Sequence, residues 1–127
     1  MKSILSLLIL YMVAIASEPA LDGIVAQVNT DVITFSEVHA KTAADERALR
    51  KTLAGQNLVD AIKKLRASQL DPMIDRLLLL QELKRQAHPL PEDATDEQID
   101  AAIRDGFSSD RQQWMKRLKP AATIKKF

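Results

Sequence analysis

Asp22-Gly-Ile-Val-Ala-Gln-Val-Asn-Thr-Asp-Val-Ile-Thr-Phe-Ser-Glu37 carries three structural signals in succession. Ile24, Val25, Val28, Val32 and Ile33 are β-branched and stiff at χ1, which favours extended backbone. Asn29-Thr30-Asp31 between them is turn chemistry, so the stretch predicts a short β-hairpin. Thr34-Phe-Ser-Glu37 then has the pattern of a capping box. The Thr hydroxyl and the Glu carboxylate reciprocally satisfy N–H groups that a helix start leaves open. Two strands this short are not stable alone in water and must lean on helices.

Working outward, the helix opened by Thr34 is expected to run to about Leu53, where Ala54-Gly55-Gln56-Asn57 ends it. A second helical stretch starts near Leu58, with Leu58, Ile62, Leu65 and Leu70 at roughly helical spacing. Asp71-Pro72 interrupts it, and the reading leaves two outcomes open: a kink, or a fresh helix starting at Pro72. From there to about Ala87, Met73, Ile74 and Leu77 to Leu80 make the helix apolar around more than half its circumference, the mark of a central helix. Pro89 and Pro91 stiffen the next connection. Thr95-Asp-Glu-Gln98 is a second capping box, opening a short helix with Ile99, Ile103 and Phe107 on one face and Gly106 near its end. Ser108 or Ser109 caps a last helix that carries Trp114 and Leu118 and closes at Pro120, and Thr123 to Phe127 reads as a further helix start. The fold class is therefore mainly α: a short N-terminal β-hairpin followed by a small bundle of about four to five helices.

Composition supports a folded helical chain. Of 127 residues, 46% are hydrophobic and 28% charged, with only three Gly and five Pro. The formal charge of +1 gives no electrostatic grip on nucleic acid. Cysteine is absent, which excludes disulfides, thiolate zinc sites and a cysteine nucleophile.

The first residues read as an address. Lys2 is a positive n-region, Ile4 to Val13 an apolar run, and Ala14-Ile15-Ala16 supplies the small residues that signal peptidase requires. Residues 1–16 are expected to be a cleavable signal peptide that delivers the chain to the periplasm. The run is too short to span roughly 30 Å of hydrocarbon comfortably, so no stable membrane span remains after cleavage.

Residues 22–37 resemble the opening hairpin and first helix of the SurA-type periplasmic chaperones. Pro72-Met-Ile-Asp-Arg-Leu-Leu-Leu-Leu-Gln-Glu82 is similar to that family's central helix, and Thr95 to Ile103 with Phe107 and Trp114 falls where the family has its next two short helices. The likeness covers most of residues 21–118, in the same order and directly behind a signal peptide. It implies that residues 17–127 are a SurA N-terminal-like helical chaperone domain that holds unfolded polypeptides, outer-membrane protein precursors among them. Relatives continue into a parvulin-type prolyl isomerase domain, which needs on the order of 100 further residues. The domain here reads as truncated at its C-terminus, so no basis for catalysis is expected. The alternative function is a fragment of a SurA-type peptidyl-prolyl isomerase with no independent activity.

No catalytic, cofactor-binding or metal site is expected. His39 and His88 have no ligand spacing, and Glu92, Asp93, Asp96, Glu97 and Asp100 read as helix-start charge rather than a calcium site. Lys116, Arg117, Lys119, Lys125 and Lys126 read as a solvated end rather than a lipid contact, and Ser108 and Ser109 as caps without a nearby base. The sharper expectation concerns apolar surface. Met73, Leu77, Leu80, Phe107 and Trp114 are the candidate lining of a peptide-binding groove, left open if no returning segment covers the central helix. Its expected occupants are an unfolded client or a second copy of the chain in a homodimer.

Overall fold

The computed structural model describes residues 22–86 and 90–127. The signal-peptide expectation for residues 1–16 and the expectation for His88 lie outside the described residues.

The hairpin forms as its residues dictate: β1 (Ile24–Val28) pairs antiparallel with β2 (Asp31–Thr34), with Val28 opposite Asp31 and Ile24 opposite Thr34. Asn29 turns the chain at φ 56°, a left-handed conformation that Asn tolerates better than most residues. The capping box at Thr34 is complete, and helix α1 (Phe35–Thr52) follows. Helix α2 (Gly55–Arg85) starts three residues before Leu58, at Gly55 with φ 60°. Helices α3 (Asp96–Phe107) and α4 (Arg111–Ala121) complete the helical part. Thr95 and Gln98 cap α3 reciprocally, whereas α4 begins after Asp110 rather than at Ser108 or Ser109.

One open alternative is resolved and one expectation needs correction. Pro72 does not start a new helix: α2 is continuous through it. A proline in a helix interior costs about 3 kcal/mol, yet the apolar positions flanking it, Leu70, Met73 and Ile74, all pack into one core. Tertiary burial of that stripe outweighs the local penalty. Residues 123–127 also do not start a helix. Ile124–Lys126 is a third strand, β3, antiparallel to β1, giving sheet order β2-β1-β3. The open edge of β1 supplies what so short a segment lacks: Phe127 N donates to Val25 O at 2.9 Å, and Asn29 N to Thr123 O at 2.8 Å. The Asn29 side chain ties the corner, accepting from Thr123 N at 3.0 Å and donating to Gln81 Oε1 at 2.8 Å.

The second half of α2 is the spine. Ile74 and Leu78 join Ala26, Val28, Ile33 and Val38 in one buried cluster beneath the sheet. Leu79 and Leu83 join Ile103 and Phe107 of α3 in another. The two sets lie i, i+4 apart on adjacent flanks of one helix, as the wide apolar stripe predicts. Met115 and Leu118 of α4 pack against both clusters. Gly106 allows α3 to approach closely: a Cβ there would sit 3.1 Å from Leu83 Cδ2.

Candidate functional site

Beside the spine, α2 leaves part of its stripe uncovered. Met73 and Leu77 are half-buried and form the floor of a crevice of about 190 Å³. Its walls are Val32 and Ile33 from β2, Glu37, Ala40 and Lys41 from α1, and Asp96 from α3. A second recess of about 480 Å³ meets it at Lys41, Met73 and Arg76, and runs past Pro72 to Ile103, Arg104 and Arg111. The hairpin positions β2, and the capping box sets where α1 begins. The local rules that made these elements therefore also place one wall of the crevice.

Arg76 divides the two recesses. Its Nε donates to Asp100 Oδ1 at 2.7 Å and its Nη2 to Asp96 Oδ1 at 3.2 Å. The pairs fasten α2 to the start of α3, and both carboxylates are largely exposed, so their worth is modest. These two acidic residues thus have a specific partner beyond helix-start charge.

The five candidate groove residues do not converge. Met73 and Leu77 share the first crevice. Leu80 lines a separate recess of about 380 Å³ with Leu90, Pro91, Ala94 and Ile99, beneath the connection into α3. Phe107 is only 2% exposed and belongs to the core rather than to an open face. Trp114 meets it edge-on at 5.2 Å between centroids, and the Arg117 guanidinium stands 4.1 Å over the indole. Sequence reasoning did not single out Val32, Lys41, Arg76 or Ile103 as groove residues. One signal was available: Asp75-Arg76 is the only charged pair inside the apolar run from Met73 to Leu80.

A second polar feature, also not anticipated, lies between α1 and α2. Glu46 is fully buried, and Arg66 holds it bidentately at 2.6 and 2.9 Å. The Thr42 hydroxyl lies 2.8 Å from its carboxylate, with His39 and Arg50 at 3.6 and 3.7 Å. The hydrogen bonds from Arg66 outweigh burial and hold the Glu46 carboxyl down to about 2. Arg66 also stacks 4.8 Å over the Phe35 ring, itself parallel to His39. The cluster fastens the two helices. Among the described residues, no group of three or more His, Cys, Asp or Glu side chains is placed to hold a metal ion. Among them, too, no helix is long and apolar enough to cross a membrane.

A short sheet caps the long central helix, and a crevice of mixed apolar and charged lining opens at its side. The family described as the SurA-like N-terminal domain matches residues 1–121, and the chain belongs to that family, which is periplasmic. No curated protein and no solved structure matches the chain.

Proposed function

We propose that the chain holds unfolded segments of other polypeptides, outer-membrane protein precursors among them, without catalysis, in the crevice floored by Met73 and Leu77. The observation that supports this reading most directly is that two large apolar side chains of the central helix stay half-buried between walls contributed by α1, β2 and α3. A floor of this kind gains from covering by any apolar side chain, at about 25 cal/mol per Å² removed from water. The gain is non-directional and suits a partner of variable sequence. The protein works in the periplasm, delivered there by residues 1–16, and mass spectrometry of the exported chain is expected to show a start at Ser17.

The functional test uses the exported chain and a urea-unfolded outer-membrane protein diluted into buffer. Aggregation, followed by light scattering, is expected to slow in proportion to added chain. Val32 is 42% exposed and lines the crevice. Val32→Lys is therefore expected to weaken the effect several-fold with an unchanged circular dichroism spectrum. Leu77→Asp is expected to abolish it. Retained holding activity in both variants, each folded, overturns the assignment.

A further inference from the structure

The two recesses that meet at Arg76 differ in charge. The crevice over Leu77 is lined by two cations, Lys41 and Arg76, and by two carboxylates, Glu37 and Asp96. The recess past Pro72 sets Lys41, Arg76, Arg104 and Arg111 against a single carboxylate, Asp100. Asp100 is already engaged by Arg76. Lys41, Arg104 and Arg111 have no carboxylate within ion-pair distance among the described residues. They come from α1, α3 and the first residue of α4, so three separate helices contribute positive charge to one recess, which Pro72, Met73 and Ile103 also line.

We infer that this site is bipartite and selects polypeptide segments in which an apolar side chain is followed within a few residues by carboxylates. The inference rests on the peptide-binding reading and names its substrate class. The apolar residue fills the crevice over Leu77, and acidic side chains lie among Lys41, Arg104 and Arg111. Cations converging on one concave surface attract an anion more strongly than the same charges scattered on a convex surface. Complementary charge also raises the rate of encounter and discriminates against basic segments, while the apolar contact holds the complex. The chain's formal charge of only +1 means that the preference is local to the recess rather than a property of the whole surface.

The test uses the chain isolated after export and three fluorescein-labelled peptides of one apolar sequence, flanked at the same positions by Asp, Asn or Lys. Fluorescence anisotropy at low salt is expected to show the Asp peptide bound about tenfold more tightly than the Asn peptide, with the Lys peptide weakest. The differences should shrink to about twofold at 1 M salt, where the screening length falls to about 3 Å. Lys41, Arg104 and Arg111 are exposed, so Lys41→Gln, Arg104→Gln and Arg111→Gln combined should leave the fold intact and erase the preference. Equal affinity for the Asp and Asn peptides defeats the charge selection and leaves peptide binding standing. A preference that survives the triple variant defeats it too, because the cations responsible then lie elsewhere. Polyglutamate bound as tightly as the Asp peptide removes the need for an apolar anchor and overturns the bipartite site. Absence of binding to any of the peptides brings down both this inference and the function beneath it.

Discussion

The two halves of α2 solve the burial problem in opposite ways. From Ile74 to Leu83 the helix carries five buried residues, four of them aliphatic, and packs against the sheet, α3 and α4. From Gly55 to Met73 it has none, although Leu58, Ile62 and Leu65 continue the stripe at half burial. There α2 pairs with α1 as a two-helix arm, and the fully buried side chains across from it are Thr42 and Glu46, both polar. Two helices side by side enclose a seam; a core enclosed on all sides takes a third layer. The body is therefore held by apolar volume and the arm by a directed ionic clasp, with a half-covered apolar seam beside it.

That contrast ranks the expected effects of mutation. Leu79 is 0% exposed at the centre of the body. Leu79→Ala should cost about 3–4 kcal/mol through lost transfer energy and the cavity left behind, read as a large drop in melting temperature by circular dichroism. A loss under about 1 kcal/mol would break the picture of a tightly filled body.

The arm responds to charge instead. Arg66→Ala leaves the buried Glu46 without its bidentate partner and should cost about 3 kcal/mol, at the low end for such a deletion because Arg66 is partly exposed. Hydrogen exchange should locate the loss in the second half of α1 and the first half of α2, with the 74–83 segment still protected. Uniform loss of protection across both halves would mean that arm and body unfold as one unit. Acid probes the same clasp. Because the Glu46 carboxyl is lowered from 4.5 to about 2, its contribution is fully present above pH 4.5 and is lost as pH falls toward 2. Glu82, lowered chiefly by its hydrogen bond from Arg85, contributes in the same direction within the body. Glu46→Gln should flatten the acid limb of the stability curve, and a limb unchanged in that variant assigns the pH dependence to other carboxylates.

The smallest effect is expected at Val59 on the arm, which is 55% exposed. Val59→Lys should change stability by no more than about 0.5 kcal/mol by thermal melting. A cost several times larger would show that the arm's outer face is covered in solution and sharpen the search for what covers it.

The sequence was most informative where partners are close along the chain. The hairpin joins residues a few positions apart, and the boxes at Thr34/Glu37 and Thr95/Gln98 close over three residues. The i, i+4 stripe of α2 needs no more than one helical turn to be recognised. Met73 and Leu77 were legible as apolar residues of the central helix because they belong to that stripe. Phe107 and Trp114 belong to an apolar face too, but only the position of α3 and α4 decides that this face turns inward.

What the sequence by itself determined was thus each element with a local cause: strand, turn, cap and amphipathic face. The tertiary structure alone decided the rest. It carried α2 unbroken through Pro72, matched Glu46 with Arg66 and Arg76 with Asp96 and Asp100, and laid Ile124–Lys126 beside β1. Each of these depends on groups brought together across a long loop of chain. Their energy appears only after the entropy of closing that loop has been overcome by the core as a whole. No window of neighbouring residues carries that information.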